Sequence, residues 1–455
     1  MAPNSILIKN ALLVATLDDA FSQIPGGDVL VEGNRIKAVG KNLDVKADEV
    51  LDACGCVVMP GFVNCHHHMY QTLTRAIPAV QDEELFGWLL HLYHIWKKIT
   101  PEAVETGALV GMGELLLTGC TTTTDHFYVF PKSQPGDLLD RTIEAAARLG
   151  IRFHPTRGSM SLGKSKGGLP PDETTQTEEA ILADCERVAA KYHDPAPFSM
   201  CRIGLAPCSP FSVTPELMRQ TVDWARTKGL RCHTHLAETL DEERFCLEKF
   251  GKRPLALMEE LGWLGPDVWY AHAIHLNDEE IGKMAATGTG VGHCPTSNLR
   301  LGSGIAPIRK MVDAGVPVGL GVDGSASNDS SDMLGELRSC LLVHRIKTGV
   351  KSMTAKDVYR LACRGGARVL GRDDVGSLEP GKAADVVLWD LGHLGYAGAH
   401  HDPLAALLFT GDSHLAKTVL VNGKVVVRDG RLVNVDEKAL AEKANAIAKK
   451  LASEG

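Results

Sequence analysis

Three successive histidines, His66, His67 and His68, follow an apolar run in "PGFVNCHHHMY". Side chains alternate along a strand, so His66 and His68 share one face and His67 takes the other. Two imidazoles on one face are either a metal-ligand pair or the polar end of a buried strand, and the tripeptide alone does not separate these. Other apolar runs end in the same kind of residue: "HTHLAE" carries His233, His235 and Glu238, "YAHAIH" carries His272 and His275, and "GLGVDGSASN" carries Asp323. His66, His68, one histidine of "HTH" and Asp323 make a set of three nitrogens and one oxygen. That set suits zinc or another divalent transition ion, with a position left for water. Such an ion makes hydroxide available at neutral pH, and a buried carboxylate beside it can take the proton. The chemistry called for is hydrolytic attack on an sp² carbon.

For these residues to meet, distant segments must converge. Thr100 and Pro101 supply an N-cap and a first-turn proline, Val104, Ala108, Met112 and Leu115 recur at helical spacing, and Gly119 stops the helix before "CTTTTDH". The pattern repeats from Thr214-Pro215 to Gly229 before "LRCHTHLAE", and again from Asn277 and Glu280, in capping-box positions, to the strand "TGVGHCPTSN". Repeated strand-helix units predict a parallel sheet, either a (β/α)8 TIM barrel or a doubly wound sheet. A barrel collects all its carboxyl strand ends on one face, which is where the polar residues fall, so the barrel is favoured. Short β segments with glycine turns, "ILIKNALLVAT" and "GGDVLVEGNRIKAVG" at one end and "KTVLVNGKVVVRDGRLVNV" at the other, bracket it. We expect residues 1–58 and 371–455 to build one small β-sandwich-like domain, with a terminal amphipathic helix, and 59–370 to form the barrel.

The bulk numbers narrow the function. A formal charge of −8 over 455 residues does not favour a nucleic-acid partner, and 44% hydrophobic with 23% charged residues fits a globular enzyme. No membrane-length apolar run and no secretory leader is evident, which predicts a cytoplasmic protein. Twelve scattered cysteines read as free thiols, and Cys54-x-Cys56 is too closely spaced for a zinc ribbon and reads as buried strand.

"PGFVNCHHH", "HTHLAET", "AHAIHL", "HCPTSN" and "GVDGSASN" resemble, in order and approximate spacing, the motifs of the amidohydrolase superfamily, in its branch of cytosine, guanine and adenosine-type deaminases. The likeness covers nearly the whole chain. It implies that His66, His68, His235 and Asp323 are metal ligands, with His233 a strand residue. It also implies that Glu238 protonates a ring nitrogen, that Asp323 takes the water proton, and that His272 orients the hydroxide, with His275 structural. The bridging lysine of two-metal members has no counterpart at a strand end, so one divalent ion per subunit is expected, zinc or else iron. His126 and His293 are as compatible with structural as with functional roles, and Asn298 and Asn328 are expected to tie loops through side-chain-to-backbone bonds.

The stretch after the histidines resembles the first barrel loop of 8-oxoguanine deaminases and hydroxylated-triazine aminohydrolases, and "RGSMSLGKSKGGLPPD" favours the former. The resemblance implies a small nucleobase-like substrate, 8-oxoguanine ahead of isocytosine, guanine or a triazine, and a homo-oligomer. Gln71 can donate and accept at a purine edge, and Trp88 or Trp96 can close over the ring unless they only pack a helix. Arg157 meets a purine carbonyl or forms a structural salt bridge. A catalytically inactive, interaction-only relative is the rival class, and it would be expected to have lost ligands that are all present here.

Overall fold

The computed structural model describes residues 4–410 and 415–453. The first three residues of the N-terminal β segment and the last two of the terminal helical stretch lie outside these. Eight parallel strands close a barrel in chain order: β1 (Phe62–Asn64), β2 (Cys120–Phe127), β3 (Arg152–Ser159), β4 (Gly204–Pro207), β5 (Arg231–Leu236), β6 (Val268–His272), β7 (Gly290–His293) and β8 (Val318–Leu320). The pairing of Leu320 with Asn64 joins β8 back to β1, which a doubly wound sheet cannot do.

The local signals act as their chemistry requires. Helix α1 (Leu85–Trp96) sits in the long connection after β1, and α2 (Pro101–Leu117) follows it. The Thr100 hydroxyl accepts from Ala103 N at 3.2 Å, capping α2. Gly119 then turns the chain at φ +82°, where a Cβ would also stand 2.4 Å from the Trp389 ring. Thr214 caps Pro215–Thr227, and Asn277 and Glu280 complete a capping box at Asp278–Thr287. After β8 comes α3 (Met333–Thr348), and the chain's last helix, α4 (Glu437–Ser453), packs on α2.

Strands from both chain ends share one seven-stranded sheet, in which Val386–Asp390 runs antiparallel to Cys56–Pro60. A four-stranded sheet built around Ser5–Lys9 and Gly27–Glu32 faces it, and Ile6, Ile8, Val29, Val31, Val58, Val386 and Leu420 fill the space between. The two layers form a small sandwich beside the barrel. All twelve cysteines are free; Cys56 is buried in its strand, whereas Cys54 is exposed on the preceding turn, so only one of the pair is buried strand. Among the described residues no helix is long and apolar enough to cross a membrane.

Candidate active site

At the carboxyl end of the barrel the chain brings the chemistry-bearing residues together. His66 and His68 leave β1 on one side, while His67 points away and pairs with Ser331 Oγ at 2.9 Å, as strand alternation requires. His68 Nε2 and His235 Nε2 stand 3.0 Å apart, and Asp323 Oδ1 lies 3.2 Å from His66 Nε2 and 3.3 Å from His68 Nε2. The remaining ring nitrogens are spoken for. His68 Nδ1 donates to His126 O at 2.8 Å and His235 Nδ1 to Cys208 O at 2.7 Å, which leaves each Nε2 with a free lone pair. Burial holds His66 and His235 well below the usual imidazole pKa, so both rings are neutral, the form that ligates metals. His66 Nε2 is buried and has no hydrogen-bond partner. Nitrogen donors converging on one point, one of them orphaned, beside a carboxylate fit a divalent transition ion.

Two strand ends bend to aim the remaining groups. His272 and Asp323 adopt left-handed backbone conformations, φ +69° and +62°, strained for residues with a Cβ and secured by neighbours. Asp323 N donates to His66 O at 3.0 Å, and Asp323 Oδ2 accepts from Ser297 Oγ at 2.6 Å and Ser327 Oγ at 3.1 Å, while Oδ1 accepts from Gly324 N at 2.7 Å and faces the histidines. The donors on Asp323, the two serine hydroxyls and the Gly324 N–H, stabilise its ionised form, the form that ligates metals. Asn298 Oδ1 accepts from His272 Nδ1 at 2.8 Å, so His272 Nε2 faces Glu238 Oε2 at 3.5 Å and Asp323 Oδ2 at 3.9 Å. Glu238 is aimed by a kink at Ala237, φ +52°, where Glu242 accepts from both Ala237 N and Glu238 N. Burial, and next the charge of Asp323, pushes the Glu238 carboxyl up to about 8.

Gln71, Trp88, Tyr93, Tyr128 and Phe211 wall the cavity above these groups. Gln71 Oε1 is buried without a partner, and the side chain lies on Gly324, where a Cβ would stand 1.9 Å from that oxygen. Trp88 holds Ala326 O through its indole N–H at 3.1 Å. Trp96 and Arg157 are not in the cavity wall. Trp96 is fully buried and donates to Thr74 Oγ1, and Arg157 is clamped by Asp184 at 2.7 Å and Gln176 at 2.8 Å beneath the Phe130 ring. Both are packing residues, and Arg157 takes the salt-bridge alternative. His275 bonds Ser303 O, and His293 pairs with His344. Asn328 ties its loop to Val322 O and Glu336, whereas Asn298 orients a side chain rather than a loop. The sequence reading missed Ser297, Ser327 and Glu242; the hydroxyls inside "HCPTSN" and "GVDGSASN" were the only signal of the two serines. It also read His233 as strand alone, yet its Nε2 meets His66 Nδ1 at 2.8 Å. A larger cavity at the opposite end of the barrel, lined by Arg360, Arg364 and Arg368, holds none of these groups.

Barrel and donor set together define a hydrolase that works through a histidine-rich metal site. The chain belongs to the Amidohydrolase family, whose model matches residues 57–426, and within it is a metal-dependent aminohydrolase. It is 46% identical over 450 residues to the 8-oxoguanine deaminase of Pseudomonas aeruginosa, with 98% of each chain covered. It is 38% identical to an isoxanthopterin deaminase of an unknown prokaryotic organism, covering 99% of this chain and 98% of that one. The atrazine chlorohydrolase of Arthrobacter aurescens, crystallised with zinc, superposes with a TM-score of 0.93 at 38% identity, over 97% of this chain and 100% of the other.

Proposed function

We propose that this enzyme deaminates a free nucleobase, with 8-oxoguanine as substrate: water adds at the amino-bearing carbon between two ring nitrogens, ammonia leaves, and urate remains. The observation that carries this reading is an aromatic-walled cavity in which a proton-bearing carboxyl, Glu238, and a carboxylate held by hydrogen-bond donors, Asp323, both lie beside His272 Nε2. The similarity to a deaminase of 8-oxoguanine supports the choice of ring. His66, His68, His235 and Asp323 would hold one divalent ion, zinc, which when bound activates water and offsets negative charge at the attacked carbon.

The chain's own groups do the rest. Glu238 keeps its proton at neutral pH and delivers it to the ring nitrogen beside the amino-bearing carbon. Asp323 accepts the proton of the attacking water and returns it to the departing amine, steered by Ser297 and Ser327. His272, its Nδ1–H fixed by Asn298, turns Nε2 toward the attacking oxygen and aligns it. The Gln71 carbonyl accepts an N–H from the purine edge, and Trp88 covers the ring. The aromatic walls exclude bulk water from the reaction.

Ammonia release by zinc-loaded protein on 8-oxoguanine, guanine, isocytosine, cytosine, adenosine, isoxanthopterin and hydroxylated aminotriazines tests this, with Asp323→Asn as control. Turnover confined to 8-oxoguanine and isocytosine, and lost in the control, is expected. Turnover of a triazine or pterin alone would replace the substrate, and silence from zinc-containing protein would remove the substrate class. We further infer a cytoplasmic homo-oligomer. Twelve free thiols suit a reducing compartment, and Leu342 and Ile346 on α3, with Val350 just past its end, are exposed apolar side chains. Light scattering of the purified chain reads the oligomeric state.

A further inference from the structure

Beneath the proposed metal site, a chain of hydrogen bonds crosses the floor of the barrel from β5 and β6 to the end of β1. His233 lies two residues before His235 on β5 and so shares its inward face, one layer deeper. Its Nδ1 meets Trp269 O of β6 at 2.9 Å, and its Nε2 meets His66 Nδ1 at 2.8 Å. The Trp269 indole N–H in turn holds Cys65 O at 3.0 Å, next to His66, and the imidazole of His233 stacks on the indole, 4.4 Å between centroids and 14° from parallel. The circuit closes on itself. His233 and Trp269 are both fully buried in a layer that apolar side chains usually fill.

The chemistry of these partners leaves one arrangement of hydrogens. A backbone carbonyl only accepts, so His233 Nδ1 must carry a hydrogen. With a neutral ring, His233 Nε2 then offers a lone pair, and His66 Nδ1 must donate to it. His66 Nε2 is left bare, which matches its lack of any hydrogen-bond partner and its position 3.2 Å from Asp323 Oδ1. Metal-ligating histidines ordinarily hand their second N–H to a carboxylate, a carbonyl or water, and that partner fixes ring orientation and basicity. Here a second imidazole takes that place and passes the constraint on to a carbonyl. His68 and His235 use carbonyls directly. His66 is the candidate ligand whose outer nitrogen faces a second imidazole and has no carbonyl, so its tautomer is the one that substitution of this neighbour can alter.

We propose that His233 is a positioning residue that sets the tautomer and ring plane of His66 for zinc, with the Trp269 carbonyl fixing the tautomer of His233 and the Trp269 ring fixing its plane. This rests on the reading of His66 as a ligand. The circuit also binds the strand that carries His66 to the strands that carry His235 and His272, so the groups of the site keep one spacing. His233→Phe keeps the stacked ring and removes the acceptor. His233→Gln keeps an acceptor at the Nε2 position and removes the ring.

The test is a competition for zinc between the full-length apoprotein and a chromophoric chelator, with thermal melting of the apo forms alongside. His233→Phe should bind zinc about 10–100-fold more weakly than wild type, while His233→Gln stays nearer to wild type whatever either does to the melting temperature. Equal zinc affinity in wild type and His233→Phe would overturn the proposal. So would His233→Gln binding as weakly as His233→Phe, because the ring rather than the acceptor would then matter. Nitrogen NMR of zinc-loaded wild-type protein reads the tautomers without any substitution: His233 and His66 should both be protonated at Nδ1, and a hydrogen on His233 Nε2 contradicts the circuit. Wild-type protein that takes up no zinc would overturn the metal reading itself, and this one with it.

Discussion

At the scale of single residues, the proposed reaction divides between two carboxyls whose surroundings differ. Glu238 is buried beside the His272 imidazole, whereas Asp323 accepts hydrogen bonds from two serines and faces two imidazoles besides. Replacing Glu238 by Gln removes the proton donor and keeps the shape, so kcat should fall by about 10²–10⁴-fold with zinc content unchanged, as steady-state kinetics and metal analysis will read. Gln71 is tested through its neighbour. A Cβ on Gly324 would stand 1.9 Å from Gln71 Oε1 and would push the amide off its position. Gly324→Ala should therefore raise KM for the purine, and a displacement of about 1 Å can cost about 100-fold in kcat/KM. An unchanged KM would mean that the amide does not read the ring.

At the scale of elements, helices on the barrel's outer wall are joined by charge. Asp140, on Leu138–Leu149, accepts from Arg187 at 2.7 and 3.0 Å, from Lys191 at 2.7 Å and from the Tyr192 hydroxyl at 2.6 Å, all on the helix Glu178–Tyr192 or at its end. Burial alone would raise its pKa, but these donors, Arg187 foremost, hold it well below the ordinary carboxylate value. A depressed pKa means that the folded state binds fewer protons than the unfolded one. The stabilisation is therefore present above the ordinary carboxyl value and is lost as pH falls toward the folded value. Asp140→Asn should melt below wild type at pH 7, and the gap should close as the melts are carried below pH 4. A constant gap would assign the loss to packing. Elements were legible in the sequence wherever the signal is local: the Thr100 cap, the Asn277-Glu280 box, and apolar runs ending in His66, His235, His272 and Asp323. Contacts set by convergence were not. Trp88 and Trp96 sit eight residues apart on α1, a little over two turns, so they point in different directions and one alone lines the cavity. Ser297, in the short helix Pro295–Arg300, and Ser327, thirty residues further on, touch each other and Asp323 only once the chain is folded.

At the scale of the whole molecule, a buried ion pair joins the barrel to the sandwich. Arg152, on β3, reaches Asp385 through two bonds of 3.0 and 2.9 Å and also donates to Phe198 O and Ser199 O, while Asp385 accepts from Asn422 N at 2.7 Å. Asp385 immediately precedes Val386–Asp390, the strand that pairs with Cys56–Pro60 and so joins the two ends of the chain. Both side chains are almost wholly buried, 0% and 3% exposed. Taking such a pair out of water costs nearly what its attraction returns, so its net worth is small, but removing one partner strands the other charge in the interior. Asp385→Ala should therefore destabilise the protein by about 3–5 kcal/mol, seen as a shift of the denaturant midpoint. Arg152→Met combined with Asp385→Leu should recover most of that loss, because no buried charge remains. The single variant should keep its zinc wherever it is folded, since Asp385 belongs to the sandwich junction and the site is built on the opposite strand ends. If the double variant is as unstable as the single one, the Arg152 guanidinium is needed for the carbonyls of Phe198 and Ser199 rather than for its charge. The junction would then be held by hydrogen bonds to the loop before β4, and the aspartate would be the lesser partner.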